Sequence, residues 1–434
     1  MGHLTGKDLY RSLGRKVDAL SVRVPWDRTL YAILKELYSE ADAELIVKLP
    51  YGFAPLARLE QVTGTAQSQL RPQLESLCSR GLAIDVYVNG TYYYAPSPMV
   101  IGIFEFTMMR SGVPHDKLAR LFAQYNERSF FDANFGAAQR VSISRAVPHE
   151  GTVVPDEHVE VLDYEKATAL IEQADRYAVG ICSCRHEKEH LGHRTCQVPL
   201  DGCSTLGARS VDYVVRNGLA REVSKTEMLE NVARSRELGL VMCADNVQRG
   251  VGFMCHCCGC CCNMLGGISR FGYTNTVVSS SYIARVRDEH CNGCRACSDA
   301  CPIQAITRRS DPDPRFRKHG RPSVDPDACI GCGVCALKCK TGALGLVRRE
   351  KRVLHPETTF ERVILQCLER GTLQNQLFDE PENKTHAFLR GLVGGFLRLA
   401  PVKQALMSDA LRSRFLAAMK QGAKRLGKGE FVDV

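Results

Sequence analysis

The stretch "CNGCRACSDACP", residues 291–302, spaces its cysteines as C-x2-C-x2-C-x3-C and ends in proline. A second stretch, "CIGCGVCALKCK", residues 329–340, repeats this spacing and has Lys340 in place of the proline. The chain has 434 residues and 21 cysteines, of which eight lie in these two stretches. In a reducing compartment, cysteines at such short regular spacing indicate metal ligation rather than disulfide bonds.

Three thiols at positions i, i+3 and i+6 can surround one iron–sulfur cluster, while the fourth thiol of each run reaches the other cluster. The two ligand sets should therefore cross between the repeats. We expect one set to be Cys291, Cys294, Cys297 and Cys339, and the other to be Cys329, Cys332, Cys335 and Cys301. Two zinc sites are the alternative, but zinc sites do not repeat this spacing, and one tetrahedral ion needs only four ligands.

With their equivalent runs "CPIQAI" and "CKTGAL", residues 284–348 resemble the bacterial two-cluster ferredoxins. The resemblance implies a domain over residues 284–350, called here the ferredoxin-like segment, that holds two [4Fe-4S] clusters. The link between its repeats, residues 306–328, is longer than a compact ferredoxin needs. It is either a docking loop for an acidic partner or a solvated insertion. Its basic residues are Arg308, Arg309, Arg315, Arg317, Lys318 and Arg321.

A denser group of cysteines lies upstream, in "FMCHCCGCCCNML", residues 253–265. In an extended chain alternate side chains share a face, so Cys255, Cys257 and Cys261 would point one way and the other three cysteines the opposite way. Thiols from residues 182–203 would complete both sets. We therefore expect one or two further iron–sulfur clusters in a cysteine-rich domain over residues 177–283. The expected ligands are Cys182, Cys184, Cys196, Cys203, Cys255, Cys257, Cys258, Cys260, Cys261 and Cys262.

Other interpretations of this block stay open. The thiols could be structural and metal-free, although crowded thiolates repel one another unless a cation neutralises them. They could instead hold zinc. The "CCG" at residues 257–259 resembles the cysteine-rich module of heterodisulfide-reductase-like proteins, which implies a non-cubane cluster bridged by adjacent cysteines. That module's upstream cysteine has no counterpart at the family's spacing, since the nearest cysteine before residues 253–265 is Cys243. Histidines that could join a zinc site are His186, His190, His193 and His256.

Residues 30–96 combine three segments of helical apolar spacing with "AIDVYVNGTYYYA", which alternates around an Asn-Gly turn. This order predicts a winged-helix-like domain over residues 26–98, after an N-terminal extension, residues 1–25. Such a fold inserts its third helix into a DNA groove or serves as a docking module. The exposed face of that helix has a single arginine, which favours docking over phosphate binding. The face is expected to contain Gln67, Ser68, Gln69, Arg71 and Pro72.

Helical spacing also predicts a connector over residues 99–176, without evident chemistry, and a helical C-terminal region over residues 351–434. Cys78 and Cys367 fall in helical patterns and are expected to be buried. The C-terminal helices have a basic face that would lie on anionic lipid or pack against protein. Its basic residues are Arg390, Arg398, Lys403, Arg412, Arg414, Lys420, Lys424 and Arg425.

Composition and missing motifs narrow the function. The chain is 44% hydrophobic with a net charge of +9, which is typical of a globular protein whose basic excess can balance thiolate clusters. Its N-terminus lacks the apolar core of a secretory signal, so we expect a cytoplasmic protein, with any membrane contact peripheral to the inner face. No nucleotide-binding P-loop, G-x-G-x-x-G turn, G-x-S-x-G elbow or H-E-x-x-H motif is present.

The predicted fold is an α+β multidomain protein. The first functional hypothesis is an anaerobic electron-transfer protein or subunit of an oxidoreductase complex. It would relay single electrons through several [4Fe-4S] clusters between partners such as a flavoprotein or another iron–sulfur subunit. The second hypothesis is a reductase that acts on a disulfide or other small substrate at the cysteine-rich cluster. The third is a redox-sensing winged-helix transcription regulator, for which DNA binding is the less favoured alternative.

Overall fold

The computed structural model describes residues 6–126, 128–136, 139–154, 163–350, 353 and 355–432. Its architecture is mixed α/β and is built from several units along the chain. A three-stranded sheet lies in the N-terminal unit, a seven-stranded sheet forms the centre, and two two-stranded sheets lie in the ferredoxin-like segment. Helices make up the C-terminal region.

The N-terminal unit places helices before and around a β-hairpin. Its elements are α1 (Gly6–Asp18), α2 (Arg28–Leu37), α3 (Glu40–Lys48), β1 (Ala54–Pro55), α4 (Leu56–Thr63), α5 (Gln67–Ser79), β2 (Ala83–Val88) and β3 (Thr91–Pro96). The predicted hairpin is present and pairs β2 with β3. In its turn, Asn89 and Gly90 have φ values of 47° and 83°, as a two-residue turn requires. Residues of the predicted N-terminal extension form α1, whose Leu13 and Val17 are fully buried.

Helix α5 has one buried and one exposed face. Leu70, Leu74 and Leu77 are buried against the rest of the unit. The opposite face is exposed and contains the five residues expected there, Gln67, Ser68, Gln69, Arg71 and Pro72. The hairpin is held to the central part of the protein, since the Tyr213 hydroxyl donates to the Ala83 carbonyl at 3.0 Å.

The predicted helical connector also contains a strand. Its elements are α6 (Phe104–Met109), α7 (Asp116–Tyr125), α8 (Arg128–Phe135), β4 (Ser144–Val147) and α9 (Ala167–Gln173). All four residues of β4 are buried, and this strand is part of the central sheet. A short strand that is buried on both faces does not alternate polar and apolar residues. Alternation therefore could not predict β4.

The central sheet is completed by the following stretch of chain. Its elements are β5 (Tyr177–Ile181), α10 (Ser183–His190), β6 (Asp201–Leu206), α11 (Ala208–Arg216), β7 (Ala220–Val223), α12 (Lys225–Leu238), β8 (Val241–Asp245), β9 (Phe253–Cys257), α13 (Asn263–Ser269) and β10 (Val277–Val278). The strand order is β10-β4-β8-β9-β6-β5-β7, and among the described strands of this sheet only β10 and β4 are parallel neighbours. In β8, Met242 and Ala244 pack in one buried cluster, while Val241 and Cys243 pack in another. This alternation turns the thiol side of the sheet toward the ferredoxin-like segment.

The ferredoxin-like segment contains two small antiparallel pairs. Its elements are β11 (Tyr282–Val286), α14 (Ala296–Ala300), β12 (Ile306–Arg309), β13 (Arg321–Val324), α15 (Val334–Leu337) and β14 (Leu344–Arg348). Strand β11 pairs with β14, and β12 pairs with β13. The link between the repeats is therefore a folded hairpin, in which Phe316 is buried and Arg321 pairs with Asp311 at 2.6 Å. The basic residues left exposed on the hairpin include Arg309, Arg317 and Lys318.

The C-terminal region is a set of helices with its own small core. They are α16 (Thr359–Arg370), α17 (Leu373–Leu377), α18 (Lys384–Leu397), α19 (Ala400–Met407) and α20 (Asp409–Arg425). Cys367 lies fully buried in this core and Cys78 in the N-terminal core, which confirms the expectation for both. Within the described part of the chain, no helix is both long and apolar enough to span a bilayer.

Part of the basic face expected on these helices packs against the protein itself, while Arg414, Lys424 and Arg425 are exposed. Arg390 donates to the Phe378 carbonyl at 2.7 Å, and Lys403 donates to the Glu369 carbonyl at 2.8 Å. Lys420 pairs with Glu361 at 2.8 Å. These cations satisfy polar groups of the protein itself, which helical spacing alone could not indicate. Large apolar side chains of α18 are also exposed, namely Phe388, Leu392 and Phe396.

One carboxylate joins the N-terminal and C-terminal parts of the chain. Asp379, whose side chain is 3% exposed, pairs with Arg58 at 2.8 Å and with Lys428 at 2.7 Å. Burial alone would raise the pKa of Asp379, but Lys428 and Arg58 outweigh burial and lower it.

Asp379→Asn should lower the free energy of unfolding by about 2 kcal/mol, because two cations lose a charged hydrogen-bond partner. Since the folded-state pKa is lowered, this contribution is present above the unfolded-state pKa and is lost as the pH falls through the folded-state value. Thermal unfolding of both proteins between pH 7 and pH 3 measures it. The control Glu222→Gln breaks the exposed pair with Arg176 and should leave the midpoint unchanged. Equal shifts in both variants would contradict the assignment.

Candidate metal centres

The first three cysteines of each repeat lie on turns with left-handed backbone. Gly293 and Arg295 have φ values of 69° and 64°, and the equivalent Gly331 and Gly333 have 67° and 84°. A Cβ atom at Gly331 would lie 2.1 Å from the Tyr282 carbonyl oxygen, so this position requires glycine. The turns therefore follow from local sequence in both repeats.

Cys301 lies beside the thiols of the second repeat. Burial raises the pKa of the Cys335 thiol, and Cys332, Cys329, Cys301 and Cys297 raise it further. The Cys301 sulfur accepts a hydrogen bond from the Ala305 amide at 3.2 Å. Sulfur-only donors with amide hydrogen bonds to sulfur are the surroundings that iron–sulfur clusters use. The crossed ligand set stays a prediction, since Cys297 of the other expected set also influences Cys335.

The other expected set lies nearer to the surface. Cys294 is exposed, and Cys291, Cys297 and Cys339 are half-buried. Cys297 has Cys291 among the thiols that raise its pKa, after the larger effect of burial. The two expected ligand sets thus differ in their access to solvent.

In the cysteine-rich domain four thiols form a compact group, called here the tetrathiolate group. It consists of Cys196, Cys258, Cys260 and Cys261, and all four sulfurs lie within 4.8 Å of one another. The Cys196 sulfur lies 3.6 Å from that of Cys258 and 3.9 Å from that of Cys261. The Cys260 sulfur lies 3.6 Å from that of Cys258 and 3.4 Å from that of Cys261.

Seven other thiols, called here the cavity group, line a cavity of about 110 Å³. They are Cys182, Cys184, Cys203, Cys243, Cys255, Cys257 and Cys262. Their mutual contacts are visible in their pKa values. The Cys262 thiol and burial raise the pKa of Cys184, and the Cys243 thiol is the largest influence raising that of Cys257, to about 12. Such thiols stay protonated at neutral pH until a metal displaces the proton.

Sheet register and two helix starts bring the cavity group together. Cys243 of β8 and Cys255 of β9 are directly opposed, and β6, which contains Cys203, is the other neighbour of β9. Cys182 and Cys262 are the N-cap residues of α10 and α13. Cys243 was not among the expected ligands, because an isolated cysteine on a short buried strand gives no spacing signal. Only its strand pairing reveals its neighbours.

The predicted division of residues 255–262 into two alternating faces is wrong for Cys261 and Cys262, which exchange places. The chain is extended only as far as Cys257, at the end of β9, and then turns before α13 begins at Asn263. Alternation ends where the strand ends. Cys261 therefore joins Cys258 in the tetrathiolate group, and Cys262 joins the cavity group.

A buried arginine lies between the two thiol groups. The Arg185 side chain is 1% exposed and donates to the Pro199 carbonyl at 2.8 Å and to the His256 carbonyl. Its Nε has no hydrogen-bond partner among the described residues. The Cys261 thiol, followed by Arg185, lowers the pKa of Cys258 to about 4. Arg185 thus supplies positive charge where negative thiolates would gather.

Among the described residues, the side-chain hydrogen bonds of the candidate histidines go to groups other than thiols. His256 alternates to the opposite face of β9, where its ring nitrogens bond the hydroxyls of Ser204 and Ser235. The Nε2 atoms of His186 and His190 lie 3.1 Å apart. His193 is exposed. The structure gives no support to a mixed cysteine–histidine site here.

The cavity has an apolar wall opposite the thiols, formed in part by Val100, Phe106 and Met109. Glu105 lies in this wall, accepts a hydrogen bond from the Gly102 amide at 3.1 Å, and has its pKa raised by burial to about 7. The adjacent Ile101 has a φ of 45°, which is strained for a β-branched residue. Strained backbone and a buried carboxyl therefore adjoin the cavity group.

Comparison with known proteins identifies one part of the chain. Residues 290–343 match the family described as a 4Fe-4S dicluster domain. The ferredoxin-like segment is a ferredoxin-type iron–sulfur domain. This match and the clustered cysteines support iron–sulfur clusters in this protein.

The curated relatives are similar to only part of this chain. An uncharacterised ferredoxin of Methanocaldococcus jannaschii is 34% identical over 76 residues, which are 17% of this chain and 42% of the relative. YsaA of Escherichia coli strain K12, named as a candidate electron transport protein, is 31% identical over 110 residues, which are 22% of this chain and 64% of YsaA. No solved structure matches the chain. The alignments with these two relatives thus cover at most 22% of this chain.

Crossed ligation in the ferredoxin-type domain can be tested by three single substitutions. Cys301→Ser and Cys329→Ser should weaken the same electron paramagnetic resonance signal and remove up to about four irons each, because their thiols belong to one set. Cys297→Ser should weaken a different signal. If Cys301→Ser and Cys297→Ser remove the same signal, the ligand sets do not cross.

Proposed function

We propose that this protein relays single electrons between redox partners through the ferredoxin-type domain and the cavity group. The supporting observation is that thiols of both parts pack in one buried cluster. Cys332 of the ferredoxin-type domain and Cys243 of the cavity group lie in that cluster. The Cys257 thiol lowers the pKa of Cys243, but burial, Cys262, Cys255 and, with the smallest effect, Cys332 raise it. Iron–sulfur clusters held by these thiols would supply one-electron oxidation and reduction at iron.

The side chains around the thiols have defined roles in this proposal. Buried cysteines such as Cys332 and Cys243 keep water away from sulfur, which influences the reduction potential. The Ala305 amide stabilises negative charge on Cys301, and Arg185 does the same beside the cavity group. The exposed Cys294 marks the side on which a partner can approach most closely.

We place the docking surface for an acidic partner on the hairpin between the repeats. Its exposed cations include Arg309, Arg317 and Lys318. The hairpin lies against the first cysteine turn, since a Cβ atom at Gly293 would come 2.2 Å from the Arg315 carbonyl oxygen. A partner bound to these cations would therefore lie beside the more exposed ligand set.

A reductase is the second candidate function, and the cavity wall favours it. Glu105, with a pKa near 7, could transfer a proton to a small substrate bound against Val100 and Met109. Spectra of the reduced protein that change on adding a disulfide would support this candidate over the relay.

Three further assignments stay predictions. The winged-helix-like domain over residues 26–98 is proposed as a docking module, because its exposed α5 face has one arginine. Salt-sensitive binding to one specific duplex would instead favour a redox-sensing regulator. Peripheral membrane contact would involve Phe388, Leu392 and Phe396 of α18, and failure to float with anionic vesicles would argue against it.

The relay predicts that anaerobically purified protein holds at least about twelve irons and accepts at least about three electrons per chain. Cys243→Ser should remove iron from the cavity group and leave about two electrons in the ferredoxin-type domain, with its resonance signals intact. Iron and sulfide analysis and a dithionite titration followed by absorbance measure this. A wild-type protein with about eight irons and two electrons would exclude the extension beyond the ferredoxin-type domain.

Charge reversal on the hairpin tests the docking surface. Arg317→Glu with Lys318→Glu should slow reduction by an acidic redox partner about tenfold at low ionic strength, because electrostatic steering is lost. The difference should shrink as salt is added. Arg414→Glu with Lys424→Glu, on exposed positions of α20, is the matched control and should leave the rate unchanged. Equal slowing in both double variants would reject the surface.

A further inference from the structure

The spacing of sulfurs in the tetrathiolate group suits one metal ion better than a four-iron cluster. A zinc ion with four sulfurs at about 2.3 Å in a tetrahedron separates them by about 3.8 Å. Four pairs of sulfurs in the group are separated by 3.4 to 3.9 Å, among Cys196, Cys258, Cys260 and Cys261. In a four-iron cluster each thiolate binds a different iron. Two thiolate sulfurs are therefore farther apart than around a single ion, because two iron–sulfur bonds and an iron–iron separation lie between them.

The backbone around the group forms a closed site. Cys258, Cys260 and Cys261 lie in the turn between β9 and α13, where the Cys262 amide donates to the Cys258 carbonyl at 3.2 Å. Cys196 comes from the irregular segment between α10 and β6. Two distant parts of the chain thus supply four thiols and leave no ligand position to fill. A closed set of four protein ligands is typical of a structural zinc site.

Charged groups beside the sulfurs match the charge of such a site. Zinc with four thiolates carries a net charge of about −2. Arg194 lies beside Cys196, and Arg185 lies beside Cys258. The Nε atoms of both arginines are buried without a hydrogen-bond partner among the described residues. The thiolate sulfurs of the doubly negative site would accept hydrogen bonds from these two Nε–H groups and so satisfy them.

We propose that Cys196, Cys258, Cys260 and Cys261 bind one zinc ion that is separate from the iron–sulfur clusters. The ion fastens the irregular segment to the turn. That turn also contacts the ferredoxin-type domain: a Cβ atom at Gly259 would lie 2.9 Å from the Pro302 carbonyl oxygen. Since Cys258 and Cys261 also border the cavity, the zinc ion would hold that edge of the cavity in place without taking part in electron transfer.

The test uses full-length protein purified anaerobically and dialysed against a chelator to remove loosely bound metal. Metal analysis should give about one zinc per chain in addition to iron, and zinc-edge X-ray absorption should show about four sulfurs at about 2.3 Å. Cys260→Ser, at an exposed position, should lose most of the zinc and keep its iron and its resonance signals. Cys243→Ser is the matched control, which should lose iron and keep zinc.

Three results would overturn the proposal. One is the absence of zinc from wild-type protein. Another is zinc with nitrogen or oxygen ligands. The last is the loss of about four irons in Cys260→Ser, which would assign these thiols to an iron–sulfur cluster. The wild-type absorption measurement needs no variant, so poor folding of Cys260→Ser leaves the test intact. Because zinc and iron are measured separately, failure of this proposal is distinguishable from failure of the electron relay.

Discussion

Most of this structure depends on gathering thiols that repel one another once they are ionised. All cysteines except Cys78 and Cys367 lie in the cysteine-rich and ferredoxin-type domains. Burial raises the pKa of Cys182 and of Cys332 to about 12, so removal of the proton requires a compensating cation. Metal ions supply most of that charge, and Arg185 supplies part of it. The fold can therefore be understood as a scaffold that holds thiols for metal.

The two cysteine-bearing domains share a core rather than meeting at a solvated interface. One buried cluster contains Val241 and Cys243 of the central sheet together with Ile330 and Leu346 of the ferredoxin-type domain. The His149 amide also donates to the Cys332 carbonyl at 3.1 Å. Shared apolar packing fixes the distance between thiol groups, and electron transfer depends steeply on such distances. A relay through both domains is therefore consistent with how they are joined.

The N-terminal unit contacts the central part of the protein through its hairpin, where Asp85 pairs with Arg216 of α11. The connector that follows reaches the cavity group, because Val100 and Glu105 line the cavity. The strained φ of Ile101 lies where the chain passes from the hairpin to α6. The segment around Ile101 therefore links the N-terminal unit to the wall of the cavity.

The sequence by itself determined those features that depend on neighbouring residues. The repeated cysteine spacing indicated the ferredoxin-type domain, because a turn with left-handed positions such as Gly331 and Gly333 is a local structure. The Asn89-Gly90 hairpin followed for the same reason. Tertiary structure decided how the upstream cysteines divide. Cys243 joins the cavity group through strand register, and the turn after Cys257 separates Cys261 from Cys262, because contacts across a sheet and the end of a strand depend on the whole fold.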